Sequence, residues 1–271
     1  MIIISSRKSF NNPDVLSDKG HQIKEIDLSN DNEVRSTVSE GDLYQELLGK
    51  RVLMLVHGYN NEQDEVYDAY SVIENKTNDF LGNEYDFVIG YSWPGGDKGL
   101  EWWASKKRAN AVARRFRFLI EGLTTNVKAL DVMSHSLGAR VVLKALKQSS
   151  RNRVLRNYYC TAPAVDNEVL EQGEEFHSSV EKSDRIYVFH SKKDGVLAGA
   201  YRVVEFDNAL GLYGPEDKQY IQNKTKNIFV ANCKKRVDSH GAYKRCVSVL
   251  QNTPIKTYLT GRLTFQGNNA F

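Results

Sequence analysis

The pentapeptide Ser134-His135-Ser136-Leu137-Gly138 constrains this chain more than any other stretch, because of what flanks it. The strand-like run Val127 to Met133 leads directly into it, and the helical pattern Ala139 to Gln148 follows directly after it. Strand, tight turn and helix in immediate succession make a sharp corner. A small residue at 134 and glycine at 138 let the backbone close tightly enough to hold the Ser136 hydroxyl exposed at the tip, as a nucleophile elbow requires. Ser134 stands where such elbows usually carry their first glycine. Alone, the pattern could equally be a helix start with Ser136 as N-cap. Its weight comes from three other segments.

Asp194 follows the strand pattern Arg185 to Ser191 and lies in the polar turn Lys192-Lys193-Asp194-Gly195, which suits the acid of a Ser-His-Asp set. His240 lies in the loop Val237-Asp238-Ser239-His240-Gly241, ahead of a helical stretch ending near Leu250, where a base is needed. Nucleophile, acid and base therefore come in that chain order, with room for one or two strand-helix units between them. Upstream, the apolar strand Arg51 to Val56 runs into His57-Gly58-Tyr59-Asn60-Asn61. Gly58 there would let backbone approach a substrate, and the amides of Tyr59 and Leu137 would donate to a developing oxyanion.

At these residues the chain resembles the α/β-hydrolase superfamily. More narrowly, it is similar to a little-characterised bacterial group carrying His-Gly-aromatic-Asn, Ser-Trp-Pro and His-Ser-[Met/Leu]-Gly, which stand here as His57-Gly58-Tyr59-Asn60, Ser92-Trp93-Pro94 and His135-Ser136-Leu137-Gly138. The resemblance spans roughly residues 51 to 250. It implies an α/β-hydrolase fold and a serine nucleophile, and no particular substrate.

Composition fits one enzyme domain. With 271 residues, 41% of them hydrophobic, the chain can bury a full core as a single unit: a core over about 51–250, opening strands and a helix in 1–50, and a C-terminal extension over 252–271. No stretch approaches the roughly 18 apolar residues of a membrane span, and Met1-Ile2-Ile3-Ile4 is too short for a signal-peptide core, so a cytoplasmic location is expected. Cys160, Cys233 and Cys246 are odd in number and widely spaced, which suggests neither a disulfide framework nor a zinc site. No metal ligand cluster or phosphate loop is evident, and no cofactor is expected.

Along the chain, strands are expected at Ile2 to Ser5, Ile23 to Leu28, Arg51 to Val56, Tyr85 to Tyr91, Val127 to Met133, Leu155 to Thr161, Arg185 to Ser191 and Asn227 to Ala231. The first two would form an antiparallel start. Helices are expected at Ser39 to Leu48, Glu62 to Phe80, Ala104 to Gly122 and Ala139 to Gln148. Repeated strand-helix alternation argues for a mainly parallel sheet covered on both faces.

Asp166 also lies just past a strand and is the alternative acid, although the strand before Asp194 is the more usual acid site in this fold. His177 and His190 read as structural, and His57 and His135 as hydrogen-bonding flanks of the site. Ser92 is a second exposed serine without an elbow pattern. Trp93, Trp102 and Trp103 fall in a glycine-rich segment that should emerge beside Ser136, as an apolar substrate rim or as loop packing. The segment Gly195 to Tyr220, rich in glycine and aromatics, is the candidate lid or pocket wall. Lys106, Lys107, Arg108, Arg114, Arg115 and Arg117 invite an anion-binding reading. Val112, Phe116, Leu119 and Ile120 nevertheless recur at helical spacing, so the charges fall on solvated faces, and with a net charge of only +3 no nucleic-acid partner is expected.

The sequence thus points to a serine hydrolase acting on a small-molecule acyl substrate: a carboxylic ester, with thioester or amide as neighbours. The alternatives are a non-catalytic binding or scaffolding protein of the same fold, and an acyltransferase. Oligomeric state is not legible.

Overall fold

A computed structural model describes residues 1–81, 84–96 and 101–245. The expected C-terminal extension, Cys246 and the helical stretch toward Leu250 lie outside the described residues. Nine strands form one sheet: β1 (Ile2–Ser5), β2 (Gln22–Asp27), β3 (Glu33–Val38), β4 (Arg51–Val56), β5 (Phe87–Ser92), β6 (Ala129–His135), β7 (Leu155–Thr161), β8 (Ser183–His190) and β9 (Ile228–Asn232). Their order across the sheet is β3-β2-β1-β5-β4-β6-β7-β8-β9.

Every pairing from β1 through β9 on the β5 side is parallel. β2 runs antiparallel to both β1 and β3, so it alone is reversed. The expected antiparallel start is therefore the β1–β2 pair, while β1 itself joins the parallel sheet through β5. β3 was not expected. Its residues Glu33-Val34-Arg35-Ser36-Thr37-Val38 are almost wholly exposed, and it forms an edge whose charges discourage further pairing. Without a buried face it shows no alternation to read.

The long helices are α1 (Glu40–Glu46), α2 (Gln63–Leu81), α3 (Trp102–Asn126) and α4 (Gly138–Gln148). Ser39 Oγ caps α1 by accepting from the Asp42 amide at 3.1 Å. β4 to β5 moves one way along the sheet, while β5 to β6 and β6 to β7 move the other way. Right-handed crossovers then put α2 on one face and α3 with α4 on the other, where those two pack together. The reversal occurs at β4, so its carboxyl end and that of β6 flank the crevice where open α/β sheets bind ligands. Among the described residues, no helix is long and apolar enough to cross a membrane.

At the opposite end of β6, Asp131 is fully buried and accepts from Arg156 Nε at 2.9 Å and Nη2 at 2.8 Å, from the Asn157 amide at 3.0 Å and from Tyr85 Oη at 2.6 Å. This network clamps β6 to β7. A carboxylate withdrawn from water needs that cation, so Arg156→Ala is expected to lower unfolding free energy by about 3 kcal/mol in chemical denaturation.

Burial also holds several histidines neutral. It lowers the His21 and His190 pKa values to about 4 and that of His135 to about 3, and holds His57 well below its usual value. Unfolded, each would bind a proton near 6.5, so as pH falls from about 6.5 toward 4 the unfolded state takes up more protons and stability declines. Each fully shifted histidine removes about 2 kcal/mol between pH 7 and pH 5. Denaturation free energies at the two pH values are expected to differ by several kcal/mol; equal values would contradict this assignment.

Candidate active site

Parallel register brings five strand ends together. Val56 pairs with Ser134, His135 with Thr161, Thr161 with Phe189 and His190 with Asn232, so the loops after β4, β6, β7, β8 and β9 leave the same edge. Ser136 sits at the corner after β6 with φ 54°, in the left-handed region that L-residues avoid unless their surroundings enforce it. The enforcement is visible in its backbone bonds. Its amide donates to Thr161 O at 3.1 Å, and its carbonyl accepts from Ala139 at 3.0 Å and Ala164 at 3.2 Å.

Two glycines let the β4 loop approach this corner. A Cβ on Gly138 would lie 2.4 Å from His57 O, and one on Gly58 would lie 2.8 Å from Ser136 Cβ. Both positions admit no side chain. Ser134, which replaces the usual glycine, directs its hydroxyl to Tyr158 Oη at 2.7 Å. The Leu137 amide opens α4 and donates to no protein acceptor among the described residues, leaving a donor at a helix N-terminus beside Ser136.

His240 begins a short 3-10 turn, His240–Lys244, and its Nδ1 donates to Asp194 Oδ2 at 2.7 Å. Asp194 is fully buried, and its other oxygen, Oδ1, accepts from the Leu197 amide at 3.0 Å. With Nδ1 committed, Nε2 is the basic nitrogen of His240. Ser136 and His240 line one cavity of about 620 Å³ together with Gly58 and Tyr59. Among the described residues no hydrogen bond joins Ser136 Oγ to the imidazole, although both line the cavity. Such looseness is common before a substrate is bound.

Asp166 is placed differently. Its Oδ1 accepts from Tyr201 Oη at 2.5 Å, and burial raises its pKa. Of the two expected acids, Asp194 is the one paired with the imidazole.

The flanking histidines are structural donors. His57 Nδ1 donates to Gly58 O at 2.9 Å, while its Nε2 accepts from the Trp93 amide at 3.0 Å. His135 Nε2 donates to the His240 carbonyl at 2.9 Å, which holds the backbone of the 240 loop against the elbow. That contact gives His135 a place in the site beyond flanking it. His177 and His190 face the carbonyls of Leu170 and Leu212.

The three tryptophans separate. Trp102 lines the cavity, edge-on to Tyr59 and Tyr201. Trp93 does not: it is fully buried behind the site, stacked on His57, with its Nε1 donating to His57 O at 2.8 Å. Trp103 is 56% exposed and lies outside the cavity, its ring beneath Lys106. Successive residues of a helix point in different directions, and here Trp102 takes the inward one. Ser92 is buried rather than exposed and donates to Gln63 Oε1 at 2.9 Å.

Four of the six basic residues of α3 are engaged within the protein. Lys106 pairs with Glu205, Arg108 with Glu101 and Asp14, Arg115 bonds the carbonyls of Ser17 and Gly20, and Arg117 that of Gln148. The segment after Asp194 forms one wall of the cavity, through Val196 to Val204. Sequence reasoning marked the segment but not its inward face.

Among solved structures, Thermogutta terrifontis esterase 2 is similar at 9% identity and a TM-score of 0.43, with 82% of this chain and 87% of that one covered. An esterase from Pyrococcus furiosus gives 12% and 0.43, over 78% and 81%. Pyrococcus horikoshii acylaminoacyl peptidase gives 9% and 0.46, over 93% of this chain and 41% of that one. No curated protein matches the sequence. The family described as alpha/beta hydrolase of unknown function (DUF900) matches residues 35–244, most of the chain and all of the segments around the cavity. The chain belongs to that alpha/beta hydrolase family.

Proposed function

We propose that this protein is a serine hydrolase that cleaves a carboxylic ester through an acyl-enzyme on Ser136, with thioester and amide as neighbouring substrates. The observation that carries the reading is the 2.7 Å bond from His240 Nδ1 to the buried Asp194, on the same cavity as a serine in the left-handed region. The resemblance of His57-Gly58-Tyr59-Asn60, Ser92-Trp93-Pro94 and His135-Ser136-Leu137-Gly138 to a bacterial group of hydrolase-like proteins supports it further.

In this reading Ser136 Oγ attacks the carbonyl carbon while His240 Nε2 takes its proton. Asp194 holds the imidazole in the tautomer that leaves Nε2 free, and stabilises the imidazolium once it forms. The Leu137 and Tyr59 amides donate to the oxyanion, a contribution worth several kcal/mol when the donors are already in place. His240 then gives its proton to the leaving alkoxide. Water, activated by the same imidazole, releases the acid and restores Ser136.

Turnover of p-nitrophenyl butyrate tests the assignment. Ser136→Ala and His240→Ala are each expected to lower kcat/KM by about 10⁶-fold, and Asp194→Asn by about 10⁴-fold, because the amide favours the wrong imidazole tautomer. Undiminished turnover in folded Ser136→Ala would overturn the serine assignment. A protein that keeps the fold without chemistry would give no turnover in any variant, wild type included.

A further inference from the structure

What the cavity accepts is written in the wall that follows Asp194. After Asp194 the chain makes a π-helical turn, Leu197–Tyr201, that runs into an α-helical turn, Arg202–Glu205, stopped by Phe206 in the left-handed region at φ 58°. Val196, Leu197, Ala200, Tyr201 and Val204 line the cavity, and their spacing is that of one face of a helix. Trp102 completes this wall, its ring centroid 5.4 Å from Tyr201 and 5.6 Å from Tyr59, edge-on to both.

The polar atoms of these walls are turned away from the cavity. Trp102 Nε1 donates to Glu205 Oε1 at 2.5 Å, and Tyr201 Oη to Asp166 Oδ1 at 2.5 Å. Thr161 Oγ1 donates to Ser134 O at 2.8 Å, and Tyr70 Oη to Tyr91 O at 2.6 Å. What the stretch formed by Trp102 and residues 196–204 presents is carbon, whereas Asn60, Asn61, Glu65, Asp68 and Lys244 also line the cavity. A charged or hydroxylated group entering there would give up water and find no partner, whereas each methylene would gain from leaving water. The cavity volume of about 620 Å³ is ample for such a group.

The wall is fastened at both ends. Its start is tied to the acid, through the Leu197 amide and Asp194 Oδ1. Its end is tied to α3 by Glu205, whose side chain is 7% exposed and bridges Trp102 Nε1 and Lys106 Nζ, the latter at 2.6 Å. The same carboxylate therefore fixes both Trp102 and the last turn of the wall.

We propose that the cavity binds the apolar acyl group of the ester against Trp102 and the 196–204 wall, and that Glu205 is a positioning residue that sets acyl preference by holding the two together. This rests on the serine-hydrolase reading above. Glu205 touches neither substrate nor reacting atoms; it acts through Trp102.

The test is kcat/KM for p-nitrophenyl acetate, butyrate, hexanoate and octanoate, with the hemisuccinate as the charged acyl group. The leaving group stays constant, so the series isolates the acyl side. For the intact protein, kcat/KM is expected to rise about fourfold per methylene over the shorter esters, with the hemisuccinate at least tenfold below butyrate. Glu205→Ala and Trp102→Ala, with folding checked by circular dichroism, are expected to flatten that rise to less than about twofold per methylene, whatever their absolute rates. Glu205→Gln keeps an acceptor for Trp102 Nε1 and should retain more of the slope than Glu205→Ala. Trp102→Phe keeps an aromatic ring but loses the bond to Glu205, and should flatten the slope even where Glu205→Ala fails to fold. A flat profile, or preference for the hemisuccinate, would overturn the acyl pocket while leaving the serine hydrolase standing. A rising profile unchanged in folded Glu205 variants would overturn the part given to Glu205. No turnover of any ester by the folded protein would overturn both readings together.

Discussion

The close approach of two backbones, the β4 loop and the β6–α4 corner, is the constraint on which the site depends. Gly138 comes so near His57 O that a Cβ would sit 2.4 Å from it, and a Cβ on Gly58 would sit 2.8 Å from that of Ser136. Because of this distance the β4 loop lies directly against the serine and the start of α4. The cost is a serine at φ 54°, about 1 kcal/mol or more of backbone strain. It is offset by three backbone hydrogen bonds to Ser136, two of which tie the corner to β7 and its following loop and one to α4.

From that corner the arrangement spreads outward through shared groups. His135 anchors the carbonyl of His240, so the elbow also locates the loop that carries the base. Asp194 holds the imidazole with one oxygen and the start of the cavity wall with the other. The wall then returns to α3 through Glu205 and Trp102. His240, Asp194 and the 196–204 wall are thus consecutive members of one hydrogen-bonded chain, and displacement of any one would be felt by its neighbours. The Asp131–Arg156 network at the other end of β6 keeps the strand that carries Ser136 aligned with β7.

Much of this was legible in the sequence, and the exceptions have physical causes. β4 was readable because a strand buried on both faces of a parallel sheet leaves a continuous apolar run. The elbow and the order Ser136, Asp194, His240 were readable because each follows a strand or opens a helix, and strand ends are well marked. β3 was invisible because an edge strand formed by pairing with β2 alone buries nothing. Trp93 could not be told from Trp102, since side-chain direction in a loop after a strand depends on the path of the loop; the bond from its indole to His57 O turns it inward. The inward face of 196–204 was hidden because a π turn joined to an α turn is too short for periodicity to stand out. Asp131 gave no signal because its partners Tyr85, Arg156 and Asn157 come from two other segments and meet only in the folded sheet.

The central claim is that Ser136 is an activated nucleophile, and covalent capture reports on it most directly. Intact protein would be treated with a fluorophosphonate and digested, and the modified peptide located by mass spectrometry. The account predicts one adduct per chain, on Ser136, that forms at least about a hundredfold more slowly in His240→Ala. An adduct on another residue, or no adduct on folded protein whose cavity admits the probe, would contradict it.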